Sequence, residues 1–218
     1  MNAATVVTLV LLAFALAAQP WSVLAGILLV TSKRGVLKES LFVLGWIIAL
    51  SVVFAISVTL YPGTPGSTTS QTPLHVGEIV FGVLLAILLL VRWRKPGATQ
   101  RATEPGWMAK LDSMSPLLAL VLGAFLPNYV VVVAAAGEVL QIKASTTVVV
   151  VAAICFILLA SVGVAAPLAV RVFRGKDSAR IYANWRTWLV THSRAVSYAT
   201  GAVVAVVLVV KGIVGLLT

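Results

Sequence analysis

Two dipeptides, Gln19-Pro20 and Pro127-Asn128, interrupt apolar runs long enough to cross a bilayer, and each sets a neutral amide beside a helix-breaking proline. A proline inside a helix removes one backbone hydrogen bond and pushes away the carbonyl four residues back, freeing polar groups that lipid cannot satisfy. Ser22 follows the first break by one helical turn, and Tyr129 directly follows the second. Gln19, Ser22 and Asn128 can donate and accept hydrogen bonds with a bound polar group, or satisfy the carbonyls that the prolines release. Both uses are open at this level, since a proline can also simply kink a helix. Ala15, Gln19, Ser22 and Gly26 fall at spacings of four, three and four, a small and polar stripe that suits close helix approach or a pocket wall. Gln19, Pro20, Ser22, Pro127, Asn128 and Tyr129 are therefore the candidate substrate-contacting residues, and their chemistry is uncharged recognition.

No catalytic constellation accompanies them. His75 and His192 fall on opposite faces of the membrane, and the chain has no paired carboxylates, nucleophile elbow, Gly-rich phosphate loop or metal-ligand spacing. The single cysteine, Cys155, lies in an apolar run and reads as a small buried hydrophobe. The expectation is a protein that is not an enzyme and uses neither metal nor cofactor.

The elements that carry the two breaks are membrane spans. In 218 residues, 61% hydrophobic and only 10% charged side chains exceed what a soluble domain of this size could hide. Six segments approach the roughly 20 apolar residues that a spanning helix needs: about Thr5–Val30, Ser40–Leu60, Val76–Val91, Ser115–Ala136, Ser145–Val170 and Val196–Leu217. Phe14-Ala-Leu-Ala-Ala18 has the look of a signal-peptide cleavage site, yet no Lys or Arg precedes it and the apolar run continues to Val30. The first helix therefore reads as uncleaved.

All but two of the 16 basic residues fall in the loops after the first, third and fifth spans, the exceptions being Lys143 and Lys211. By the positive-inside rule these loops are cytoplasmic and both termini face outward. The net charge of +10 then reflects topology and anionic headgroups, and nucleic acid is not an expected partner. The uncharged Tyr61–Pro73 stretch reads as an external loop. No Asp, Glu, Lys, Arg or His lies near the middle of any span, which disfavours direct proton coupling. Glu78 and Lys211, both toward the outer side, are candidates for an outer gate or for independent snorkelling. In Ala179–Thr191, the apolar Ile181, Trp185, Trp188 and Leu189 beside Arg180 and Arg186 predict an interfacial amphipathic helix. Arg180, Trp185 and Trp188 are thus candidates for lipid headgroup contact, and Trp107 beside Arg101 and Lys110 repeats the pattern more weakly.

Pro127 lies 107 positions after Pro20, and the same shift lays the second span on the fifth. The chain accordingly reads as one all-α transmembrane domain, 1–218, of two inverted three-helix repeats. Repeat one covers about 1–95 and repeat two about 112–218, joined by the basic loop 92–112. That is the layout of secondary transporters whose sites lie where discontinuous helices meet.

Three stretches carry a resemblance: Ala18-Gln-Pro-Trp-Ser-Val-Leu-Ala-Gly-Ile-Leu-Leu-Val30, Leu41-Phe-Val-Leu-Gly-Trp46 and Gly123-Ala-Phe-Leu-Pro-Asn-Tyr129. Over nearly its whole length the chain resembles the mycobacterial peptidoglycolipid-addressing proteins (Gap-like, sulfolipid-addressing) of the lysine-exporter superfamily of six-helix transporters. The resemblance implies a bacterial inner-membrane protein that helps a cell-envelope glycolipid reach the periplasm or surface, beside larger lipid transporters or synthases. Superfamily relatives often carry Asn-Pro at the second break, where this chain has Pro-Asn. Two other functions compete: export of a small polar metabolite or amino acid, and a non-transporting scaffold for envelope-lipid synthesis.

Overall fold

A computed structural model describes residues 3–60, 79–80, 82–84, 86–87, 89–91, 114–140 and 145–217 of the chain. Every element among them is helical: α1 (Ala3–Ala17), α2 (Pro20–Thr31), α3 (Gly35–Leu60), α4 (Gly82–Val91), α5 (Pro116–Phe125), α6 (Tyr129–Leu140), α7 (Thr146–Arg174) and α8 (Ser178–Leu217). A 3₁₀ turn, Gly175–Asp177, joins α7 to α8. Among the described residues, three helices are long and apolar enough to cross a membrane, and the count rises to five if each bent pair, α1 with α2 and α5 with α6, forms one span. The chain is a helical membrane protein. The third expected span falls on α4, only part of which is described. Glu78, the Tyr61–Pro73 stretch, the basic loop 92–112 with Trp107, and Lys143 lie outside the described residues, as does the side chain of Lys211.

Both breaks form where the sequence places a proline, and local chemistry closes them. Pro20 is the first residue of α2, where a missing N–H costs nothing, and Gln19 turns extended at ψ 112 before it. The Gln19 N–H still reaches the Leu16 carbonyl at 3.2 Å, and α2 leaves α1 at 48°. At the second break the Leu126 N–H bonds the Leu122 carbonyl at 3.1 Å, the Tyr129 phenol donates to the Ala124 carbonyl, and α6 departs at 61°.

Packing concentrates on two long helices. α3 lies against α5 and both arms of its own neighbourhood, α6 and α2, while α7 lies against α1, α2 and α3. Glycine removes the side chain wherever backbones touch: a Cβ on Gly45 would collide with the Leu120 carbonyl, one on Gly123 with that of Phe42, and one on Gly163 with that of Ala17. Phe42 meeting Gly123 while Gly45 meets Leu120 means that α5 crosses α3 in the antiparallel sense. Along α7 the sense is parallel, with Ala17 at Gly163 and Gly26 at Pro167. The broken pair α1–α2 as a whole thus runs parallel to α7, whereas α5 runs antiparallel to α3. α7 opposes α3 along its length, with Phe54 and Phe156 rings 5.3 Å apart. Outward positions are apolar, as a lipid solvent requires: Leu117, Phe125, Leu158 and Val206 are all more than half exposed.

The interfacial helix expected over 179–191 does not end before the last span. α8 runs 40 residues without interruption, since no Pro or Gly intervenes before Gly201 and its hydroxyls bond back into the helix, Thr187 to Ala183 and Thr191 to Thr187. Its length of about 60 Å is twice the roughly 30 Å hydrocarbon core, so its first turns extend past the core.

The crossing of α3 on α5 gives a direct test. Gly45→Ala or Gly123→Ala forces backbone apart and is expected to cost about 1–3 kcal/mol, read as a lower unfolding midpoint in detergent. Gly137→Ala, with nothing within 4 Å of the new methyl, leaves the midpoint unchanged or slightly raised. Equal midpoints for all three variants would remove backbone contact as the basis of this crossing.

Candidate functional site

The two breaks share one cavity. It holds about 440 Å³, within the usual range for small-molecule sites, and its wall includes Ala15, Gln19, Pro20 and Ser22 from the first break and Leu126, Asn128 and Val131 from the second. α8 supplies Ser197, Thr200 and Gly201, and α4 supplies Leu89. Gln19 reaches the wall because Pro20 stops α1 and swings the extended Gln19 backbone out of the helix axis. Asn128 reaches it as the residue that starts α6.

The polar atoms there are partly committed. Ser22, 2% exposed, donates to Gln19 Oε1 at 3.3 Å. Asn128 Oδ1 accepts from the Val130 N–H at 3.2 Å and so caps α6, while its own carbonyl accepts from Val131 and Val132. The structural use weighed for these residues is therefore real, and it consumes one oxygen of each amide. The amide nitrogens Nε2 of Gln19 and Nδ2 of Asn128, with the hydroxyls of Ser197 and Thr200, have no hydrogen-bonding partner among the described residues. They form a neutral donor-rich patch in an otherwise apolar wall. Asn128, Val130 and Ser197 are exposed, so the cavity is open to the outside of the helical bundle.

Of the remaining candidates, Pro127 is buried behind the wall and Tyr129 is occupied by the Ala124 carbonyl; neither lines the cavity. Arg180 and Trp188 are exposed near the start of α8, Trp185 is half-buried against the core, and Trp188 stacks on His192 with centroids 4.9 Å apart. These three stand apart from the breaks. Ser197 and Thr200 sit at the start of the expected last span, and the small and polar stretch Ser197-Tyr-Ala-Thr-Gly201 is the available signal for them.

A second cavity of about 390 Å³ opens at the basic end, between the α2–α3 turn and the α7–α8 turn. Its wall includes Arg34, at φ 57, together with Arg171, Ser178 and Tyr182. Arg171 donates to Ser178 Oγ at 3.2 Å, and Ser178 donates to the Gly175 carbonyl at 2.6 Å. Next to it, Glu39 of α3 is fully buried. The hydropathy boundary at Ser40 puts Glu39 in a loop, whereas α3 begins at Gly35. Its phase was the overlooked signal, because Glu39, Phe42, Trp46, Leu50 and Phe54 recur every three or four residues and form the buried stripe of α3.

Capping and recognition by Asn128 separate experimentally. Asn128→Ala loses the cap and is expected to destabilise the protein by about 1 kcal/mol; Asn128→Ser retains an acceptor and stays within a few tenths of wild type. Thermal unfolding in detergent distinguishes them, and an Ala variant as stable as wild type would show that the Val130 bond contributes nothing.

A profile of the sulfolipid-1-addressing protein family (Sap) matches residues 9–214, a stretch that contains both breaks, both cavities and every helix that lines them. No curated protein and no solved structure matches the chain. With the match covering nearly all of its length, the chain belongs to the sulfolipid-1-addressing protein family.

Proposed function

We propose that this protein is a transporter or flippase-like facilitator that moves a cell-envelope glycolipid or related amphiphilic lipid across the bacterial plasma membrane, toward the periplasm and cell surface. The observation that carries this reading is the shared, outward-open cavity at the two proline breaks, with amide and hydroxyl donors inside an apolar wall; an opening that faces lipid would suit an amphiphile. A polar headgroup fits the donors of Gln19, Asn128, Ser197 and Thr200, while the acyl chains stay in lipid beyond Val130. A closed, water-filled chamber would suit a small metabolite better. The family name speaks of sulfolipid-1, an amphiphile of the class that this cavity suits.

In this proposal the chain spans the membrane six times as two inverted halves, with basic loops cytoplasmic and both termini periplasmic. Support comes from the exchange of partners between halves, α3 packing on both arms of the second broken helix and α7 on both arms of the first. Against it stands the antiparallel crossing of α5 on α3, since two helices that both leave cytoplasmic loops run parallel in this topology. Transport here needs no covalent step, cofactor or metal; the work is exposure of one cavity to alternate sides. The exposed Arg180 and Trp188 would gather anionic headgroups at the cytoplasmic face.

The test is envelope lipid analysis after deletion of the gene. Wild-type protein restores the surface lipid, and a Gln19→Ala, Asn128→Ser double variant, normally folded, restores it about tenfold less, as expected for two lost hydrogen bonds of roughly 0.5–1.5 kcal/mol each. Full restoration by the double variant would sink the site, and an unchanged envelope after deletion would sink the lipid reading.

A further inference from the structure

We propose that Glu39 is a proton-binding site whose protonated side chain locks α2, α3 and α7 together at the basic end of the protein, and whose deprotonation opens that end. The inference rests on the transporter reading for its purpose, which is to let a proton gradient bias the two positions of the cavity at the breaks.

Glu39 is 0% exposed, and neither carboxyl oxygen has a hydrogen-bonding partner among the described residues. An ionised carboxylate so placed costs several kcal/mol, and the neutral acid avoids most of that cost. Lys38, the preceding residue, is also buried, and its ammonium donates to Ser32 Oγ at 3.0 Å. The remaining charged and titratable neighbours are few. α1, α2 and α5 contain none at all; α7 brings Arg171, α8 brings Tyr182, the α2–α3 turn brings Lys33 and Arg34, and Glu138 belongs to the far end of α6.

Two residues close directly over the carboxyl. A Cβ on Gly26 would stand 2.6 Å from Glu39 Oε1 and 3.2 Å from Pro167 Cγ, so α2 and α7 meet on the acid itself. Pro167 interrupts the α7 ladder at this point, which makes it a place where α7 can flex. The Pro167 carbonyl accepts from the Tyr182 phenol at 2.8 Å, tying α8 to the same joint. Tyr182 also lines the basic cavity, whose wall includes Arg34 and Arg171. When α2 moves off the joint, the Glu39 O–H bond breaks, the proton passes to water in that cavity, and the carboxylate is left near two guanidinium groups that favour its charge. Reprotonation removes the charge and lets Gly26 and Pro167 close again. Two conformations that differ by one bound proton are what linkage requires of a coupling site.

Val30 is 4% exposed and lines the basic cavity, so a thiol there reports opening without any transported lipid. In a Cys155→Ala background, Val30→Cys is labelled with a membrane-impermeant maleimide from about pH 5 to about pH 9, spanning the carboxyl and thiol ranges. The expected result is a rise at least about fivefold beyond the thiol's own ionisation, abolished by Glu39→Gln, which holds the slow low-pH rate, and retained by Glu39→Asp. An identical profile in the Glu39→Gln protein, or no extra rise with Glu39 present, overturns the proposal. Because the readout needs no lipid movement, a pH-dependent gate in a protein that moves no lipid would sink the proposed function alone, and lipid movement without the gate would sink this inference alone.

Discussion

Lipid offers no hydrogen bonds, so each backbone group that a proline releases must find its partner inside the protein. The two breaks are organised around that constraint. At the first, Pro20 becomes the first residue of a new helix, and the Gln19 N–H turns back to Leu16. At the second, the Tyr129 phenol takes the Ala124 carbonyl and the Asn128 side chain caps α6. What these repairs leave over is two amide nitrogens in the wall of the cavity between the breaks. In the proposed reading the same residues stabilise the interruption and contact the headgroup, and the two roles are divided between the oxygen and the nitrogen of each amide.

Close approach of helices is the second consequence of the lipid solvent. With no hydrophobic force to hold helices together in hydrocarbon, association depends on contact area and on small residues that admit it. Gly45 and Gly123 let α3 and α5 meet backbone to backbone, and Gly163 lets α7 meet the end of α1 beside the first break. Gly26 does the same for α2 over Glu39, so the small and polar stripe of the first span serves two places. Its upper part, Ala15, Gln19 and Ser22, walls the cavity; its lower end seals a buried acid.

Hydropathy and prolines made most of the helices and both breaks legible, because a span and its interruption are local properties of the chain. The convergence of Gln19, Ser22 and Asn128 followed from matching the breaks, and the structure places all three in one wall. Three features were not legible. The continuity of α8 was hidden because an amphipathic stretch and an apolar one look like separate elements when hydropathy is averaged, although nothing between Ser193 and Val196 breaks a helix. The antiparallel crossing of α5 on α3 depends on which glycine meets which carbonyl, and that is a tertiary choice. Glu39 escaped because charge is ordinarily taken as the edge of a span, whereas here the helical phase of Phe42 and Trp46 continues through it.

Whether the cavity at the breaks moves an amphiphile between leaflets, as proposed, is measured most directly by transbilayer exchange of lipid. Purified protein is reconstituted into vesicles of anionic lipid containing a trace of glycolipid with a headgroup fluorophore, and quenching from outside reports how much label can reach the outer leaflet. The account predicts that the protected inner-leaflet fraction becomes quenchable with wild-type protein and stays protected when Gln19 and Asn128 are both replaced. A protected fraction as stable with wild-type protein as in protein-free vesicles would contradict it and leave a scaffold for envelope-lipid synthesis as the better account.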